Sequence, residues 1–135
     1  MFGEIDHIGY VYRNVEEAVK KFKSIFGIEN VMQFDYGVVK GARFFIGNQP
    51  NLRIDLIEPQ DTNSIFYLFL EEGHSGLHHI GFQVEDVDEK IKEWDSMGFK
   101  QVILSMIGTN KFVYYDTTDI LGHMIEFGQM NYKKT

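Results

Sequence analysis

A short run of residues occurs twice in this chain, 72 positions apart. Asp6-His7-Ile8-Gly9-Tyr10 near the N-terminus returns as His78-His79-Ile80-Gly81-Phe82. The surroundings repeat as well. Ile5 to Tyr12 alternates and is rich in β-branched and aromatic residues, which predicts a strand. Asn14 is placed to cap a helix with Glu16 and Glu17 in its first turn. Val15, Ala18, Val19, Phe22, Ile25 and Phe26 follow at helical spacing, and Gly27 stops the run. Strands are predicted over 28–35, 42–47 and 52–58, split by Gly37, Gly41, Gly47 and Pro50 and closed by Pro59. The second half follows the same order. A strand is predicted over 77–84, then a helix capped by Asp86 that carries Val87, Ile91 and Trp94 and ends near Gly98. Strands over 99–105, 111–116 and 123–127 complete it. Asp55 and Glu126, in the last strand of each half, lie 71 positions apart. An in-phase repeat of this kind is a duplicated βαβββ unit.

Neither half can cover its own sheet face, so the two modules should pair. The expected fold class is α+β: one domain over 1–135, its modules forming a cupped, partly open mixed β-sheet barrel with helices outside. Module 1 covers about 1–59 and module 2 about 76–135. The linker 60–75 holds a short helix through Ile65, Leu68 and Phe69, begun at Thr62 or Asn63.

Composition excludes several functional classes. The chain has 135 residues, enough for one real core. It has no cysteine, hence no disulfide, thiolate nucleophile or thiolate metal site. Its net charge of −7 argues against a nucleic-acid partner, which needs a basic surface. No run is long and apolar enough for a membrane span, and the N-terminus lacks the pattern of a secretion signal. A cytoplasmic location is expected. Twelve Phe and seven Tyr give ample apolar area for a core, a pocket or a subunit interface.

Strand alternation decides which side chains share a face. His7, Gly9 and Val11 fall together, opposite Ile8, Tyr10 and Tyr12. His79, Gly81 and Gln83 likewise oppose Ile80, Phe82 and Val84. The apolar faces should meet the helices and the His faces should look inward, each glycine leaving room. Arg53, Asp55 and Ile57 share one face of their strand, and Met124, Glu126 and Gly128 one face of theirs. A carboxylate inside an apolar strand is costly unless it is charge-paired or metal-bound. Two histidines and two carboxylates, one of each per module, make a donor set for a divalent first-row metal: Zn, Ni, Co, Mn or Fe. Arg53 shares the face of Asp55, so an ion pair between them is the competing reading. Alternation turns His78, the rival of His79, toward the helices. His74 and His123 lie near turns and read as exposed, Trp94, Phe22 and Phe26 as core, and Lys20, Lys21 and Lys23 as a solvated helix face.

These residues resemble the vicinal oxygen chelate superfamily, which includes glyoxalase I, methylmalonyl-CoA epimerase, extradiol dioxygenases, and fosfomycin and bleomycin resistance proteins. The resemblance runs through nearly the whole chain. Within the superfamily the pieces Asp6-His7-Ile8-Gly9, Leu56-Ile57-Glu58-Pro59 and Ile65-Phe66-Tyr67-Leu68-Phe69-Leu70, running to Gly76-Leu77-His78-His79-Ile80-Gly81-Phe82, look most like the methylmalonyl-CoA epimerase family. Glyoxalase I usually has an Asp-Pro-Asp-Gly turn before its last ligand; here Thr118-Asp119-Ile120-Leu121-Gly122 stands instead. The resemblance implies metal ligands His7, Asp55, His79 and Glu126.

It also implies removal of a proton next to a carbonyl through an enediolate, on an acyl-CoA thioester. The alternatives are a lactoylglutathione lyase-like isomerisation of a thiol conjugate and a non-catalytic small-molecule or antibiotic binder. Glu126 is the expected proton-transfer group, with Asp35 beside it if that residue faces the site. Two positions depart from the pattern. Asp55 stands where the family more often has Glu or Gln. The stretch 36–45 lacks the carboxylate that the epimerase carries before that ligand. Relatives often pair subunits, which implies a homodimer.

Overall fold

The computed structural model describes residues 2–48, 52–107 and 109–129. The chain forms two compact units. One runs from His7 to His78; the other joins the first residues, through Asp6, to the stretch from His79 onward.

Strand β1 (Glu4–Val11) leads into α1 (Val15–Phe26), then β2 (Met32–Asp35), β3 (Val39–Ile46), β4 (Leu52–Pro59) and α2 (Ile65–Glu71). The strands lie in the order β2-β3-β4-β1, with β1 parallel to β4 and the other pairs antiparallel. The second half gives β5 (Gly76–Gln83), α3 (Val87–Ser96), β6 (Lys100–Ile107), β7 (Asn110–Asp116), α4 (Thr118–Leu121) and β8 (Met124–Gln129). Its order is β5-β8-β7-β6, again with a single parallel pair, β5 with β8. The duplicated βαβββ order and the mixed α+β class match the sequence expectation.

The repeat extends to individual hydrogen bonds. Asn14 caps α1 by accepting from Glu17 N at 3.1 Å, and Asp86 caps α3 by accepting from Glu89 N at 3.2 Å. The first helical N–H of α1, at Val15, donates to Glu58 Oε1 at 3.0 Å; its counterpart at Val87 donates to Gln129 Oε1 at 3.0 Å. Tyr12 N donates to Ile57 O and Val84 N to Gly128 O, both at 2.9 Å. Each pair lies 71 or 72 positions apart, so the same helix start is built twice by the same local chemistry.

Departures from the expected elements have local causes. The strand expected from residue 28 begins only at Met32. Gly27 turns left-handed, with φ of 65°, and Ile28 N folds back onto Lys23 O at 3.1 Å, a helix-ending motif that takes Ile28 out of any ladder. The cap of α2 is Ser64, whose Oγ accepts from Phe66 N at 3.1 Å, rather than Thr62 or Asn63. Asp61 takes those positions into a turn ahead of the helix by accepting from Asn63 N at 2.9 Å. The turn before β8 closes into the short helix α4, ended by Gly122 at φ 83°.

Each unit has its own core. In the first, α1 lays Val15 and Ala18 on Phe44, Ile54 and Leu56, with Phe22 and Tyr10 filling in around them. The second small cluster, Val11, Ile57 and Leu70, lies under α2. In the other unit α3 presses Val87 and Trp94 onto Val113, Tyr115, Ile125 and Phe127. Trp94 packs edge-on to Phe127 at 4.8 Å and tilted to Phe99 at 4.6 Å. Phe2 joins this cluster, 4.7 Å from Phe82. Lys90 holds its ammonium over the Phe2 ring at 4.9 Å. In both units, therefore, the face opposite the histidine is the one the helix covers, as alternation required.

Candidate functional site

Register fixes what stands beside each histidine. In the second unit His79 lies opposite Met124, and Gly81 opposite Glu126. Glu126 in turn pairs across β7 with Tyr114. His79 is fully buried and Glu126 is 5% exposed. The imidazole Nε2 lies 3.4 Å from the carboxylate Oε1. Tyr114 stands edge-on to the imidazole, ring centroids 5.1 Å apart. Gly81 contributes no side chain on this face, which leaves the carboxylate room opposite it. A buried carboxylate and imidazole side by side have two uses: they pair with each other, or they bind one metal ion through borderline N and O donors.

The first unit keeps the same frame but different contents. His7, 7% exposed, lies opposite Arg53, and Gly9 opposite Asp55. Asp55 is the positional counterpart of Glu126, and the residue across from it is Arg43 where the other unit has Tyr114. Asp55 receives two guanidiniums. Arg53 Nη2 donates to Oδ2 at 3.4 Å, and its Nε lies 3.2 Å from Oδ1 as an ion-pair contact without hydrogen-bond geometry. Arg43 Nε lies 3.4 Å from Oδ1. Of the two readings open from sequence, the ion pair with Arg53 is realised, and a second arginine joins it. Arg43 escaped the sequence reading altogether. Its signal was faint: an arginine in an apolar strand, on a face that only the β3–β4 register reveals.

Asp35 requires a correction. It pairs with Lys40 on β3, and the pairs Gln33–Ala42 and Phe34–Gly41 set the alternation. Asp35 therefore points to the face of Ala42 and α1, away from the face of His7 and Asp55. It lines a surface groove with Lys20, Lys23 and Lys40 instead. Its Oδ1 accepts from Gly37 N at 2.9 Å and from Gln60 Nε2 at 3.0 Å. The Gly37 amide, helped by Gln60, holds its carboxyl below the usual range. A fully exposed, stabilised carboxylate on the wrong face is a turn-former, and not a proton-transfer group.

His78 follows the expectation: it is 1% exposed, with its ring edge-on to Phe66 and Phe69 of α2 at 4.9 and 5.0 Å. His74 is exposed and stacks on Phe69. His123 is half-buried rather than exposed, its Nδ1 2.9 Å from Met124 O.

Residues 6–115 match the Glyoxalase/Bleomycin resistance protein/Dioxygenase superfamily. The chain belongs to that superfamily. Among characterised proteins, 94 residues, 67% of the chain, are 31% identical to a mitochondrial methylmalonyl-CoA epimerase of Dictyostelium discoideum. A further 31% identity over 91 residues links it to an ethylmalonyl-CoA/methylmalonyl-CoA epimerase of Cereibacter sphaeroides. The chain spans about half of the first protein's length, 54%, and 65% of the second's. A Streptomyces coelicolor methylmalonyl-CoA epimerase, solved with 2-nitronate-propionyl-CoA, shares the fold: TM-score 0.77 at 21% identity, covering 98% of both chains.

For a member of this superfamily, the buried His79–Glu126 pair fits a resident divalent ion. It presents one imidazole nitrogen and one carboxylate oxygen, both out of water, close enough to converge on one atom.

Proposed function

We propose that the chain is a divalent-metal-dependent isomerase that removes a proton next to a thioester carbonyl, with methylmalonyl-CoA or a close acyl-CoA relative as substrate. The observation that carries this is the buried His79–Glu126 pair, at the position where the sequence repeat put half of a metal site. Similarity to two characterised epimerases supports the choice of substrate class. His7, the ligand that the resemblance assigns to the first unit, is buried and occupies there the place that His79 has in the second. Asp55, the fourth member of the sequence-based set, stays with its arginines. Exposed apolar side chains at Met32, Tyr36, Val38 and Phe45 fit a homodimer, and the lack of cysteine fits a cytoplasmic protein.

A divalent ion held by these donors supplies Lewis-acid stabilisation of the charge that builds on the carbonyl oxygen as the α-proton leaves. Glu126 takes that proton, and inversion requires that a second group return one to the opposite face of the carbon. Tyr114, half-buried, stands edge-on to the His79 ring beside the same carboxylate. A glyoxalase-type transfer between neighbouring carbons is the second reading. One observation favours it: residues 36–45 hold no carboxylate to act from the opposite face, and Asp35 points elsewhere.

Elemental analysis of the purified protein, with and without added Zn, Ni, Co, Mn or Fe, tests the proposal. We expect about one divalent ion per chain, and its loss in His79→Ala. Failure to bind any of the five, with a small ligand still bound tightly, would favour a non-catalytic binder of the same fold.

A further inference from the structure

Each module lays an aromatic ring over a glycine on its His face, but on a different strand. In the first unit Gly41 of β3 pairs with Ile57 of β4 on one side and with Phe34 of β2 on the other. The Phe34 ring covers the glycine: a Cβ at Gly41 would lie 2.6 Å from it. In the second unit the equivalent pair is reversed. Phe112 of β7 pairs with Gly128 of β8, and the Phe112 ring covers that glycine, 3.3 Å from where a Cβ would stand. The aromatic cover thus stands beside the strand of Glu126 in the second unit, and two strands from that of Asp55 in the first. The packing around it differs too. In the first unit this end of the face is closed, with Val11, Ile57 and Leu70 burying one another and Phe34 against them. The same places in register hold Gln83, Gly128 and Phe112 in the second, and Gln83 and Phe112 are only half-buried.

Tyr114 continues the surface that Phe112 begins. It lies two residues further along β7, on the same face, opposite Glu126 and edge-on to His79. Both rings are half-buried, while Val113 and Tyr115 on the other face of the strand are fully buried. Residues directly opposite in a sheet stand about 5 Å apart and diagonal ones roughly 7–8 Å, still within reach of an aromatic side chain. Glu126 therefore has Gly81 on one side, which adds no side chain, and two aromatic rings on the other. A carbon that exchanges a proton with Glu126 sits about 3 Å from its carboxylate. A branch of one or two carbons on that atom reaches the rings. Its apolar surface leaves water most favourably there, whereas the polar thioester and free carboxylate do not.

We propose that Phe112, seated on Gly128, and Tyr114 form the wall that meets the alkyl branch of the acyl group and sets the size it accepts. The proposal deepens the function above and rests on it for the identity of the ligand. The ring and the glycine act as a matched pair. Phe112 lies low on the sheet because Gly128 has no Cβ. A methyl group at that position would lift the ring by a few tenths of an ångström, into the space the branch needs. Removing the ring would enlarge the same space. One methylene more or less against an apolar wall is worth about 10- to 200-fold in discrimination.

Calorimetric titration of the full chain, supplied with each of the five metals, with methylmalonyl-CoA and with ethylmalonyl-CoA tests this without relying on turnover. We expect Phe112→Ala to shift the ratio of the two Kd values toward the ethyl compound by about 10-fold or more, and Phe112→Leu to shift it less. Gly128→Ala should shift the ratio the other way. Tyr114→Phe keeps the ring and should leave the ratio within about twofold. Circular dichroism and urea midpoints establish that each variant is folded. An unchanged ratio in folded Phe112→Ala and Phe112→Leu, or shifts of the same sign in Phe112→Ala and Gly128→Ala, would overturn the proposal. So would a shift in Tyr114→Phe as large as that in Phe112→Ala, which would assign the selection to the hydroxyl, or no binding of either thioester by the parent chain. The expected ratios without any exchange at C2 in D2O would uphold the wall and remove the isomerase reading, so the two failures are told apart.

Discussion

Replacing Asp55 by Asn separates a structural carboxylate from a metal ligand. The substitution keeps the shape and one acceptor oxygen but removes the charge that two guanidiniums share. Asp55 is 6% exposed, and its three contacts run from 3.2 to 3.4 Å, long for charge-assisted bonds. Hydrogen bonds to charged groups contribute about 1.5–3 kcal/mol each in well-formed cases. With long geometry, and one bond partly retained by the amide, a total loss of about 2 kcal/mol is reasonable. For a chain of this size that lowers Tm by roughly 6–10 °C. The assay is urea denaturation and thermal melting of both proteins, with metal content measured on the same samples. We expect the stability loss together with unchanged metal stoichiometry. A variant as stable as the parent, or one that loses its metal while staying folded, would refute the assignment of Asp55 to the arginines.

Other outcomes follow from the same geometry. Asp35→Asn should leave turnover within about twofold, since that carboxylate faces away from His7; a steady-state assay checks it. Trp94→Ala should cost about 3–5 kcal/mol in urea denaturation, because it empties the center of the aromatic cluster under α3. The Tyr115 hydroxyl donates to Asp95 Oδ1 at 2.8 Å, and burial, reinforced by Asp95, pushes this phenol well above its ordinary range. The raised folded-state value means a stabilising contribution that is whole below the unfolded pKa of about 10 and drains away as pH climbs toward the folded one. Tyr115→Phe should therefore flatten the fall of stability above about pH 10, measured as the difference between the two urea midpoints across pH 8 to 11.5.

Much of the fold was legible because it is written twice. The His-Ile-Gly runs, the caps at Asn14 and Asp86 and the offset of Asp55 from Glu126 all survive in the structure as matched hydrogen bonds and matched register. Local signals of equal strength were harder to rank. Thr62, Asn63 and Ser64 are all competent caps, and only the Asp61 turn decides in favour of Ser64. Asp35 was misjudged because β2 is short and its face is set by pairing with β3, a nonlocal fact. Arg43 was invisible for the same reason. Its partner lies 12 residues away, and nothing in either strand alone says that they meet. Alternation did place His78, whose neighbours in α2 are the aromatic residues that the linker pattern had picked out.

The central claim is proton transfer at the carbon next to a thioester carbonyl by Glu126 within a divalent-metal site. Deuterium incorporation from D2O into C2 of methylmalonyl-CoA, followed by NMR with the metal-loaded protein, tests it most directly. We expect exchange with the parent chain and a drop of about 100-fold or more in Glu126→Gln, the range set for a general base. No exchange with any of the five metals, or equal exchange in folded Glu126→Gln, would contradict it.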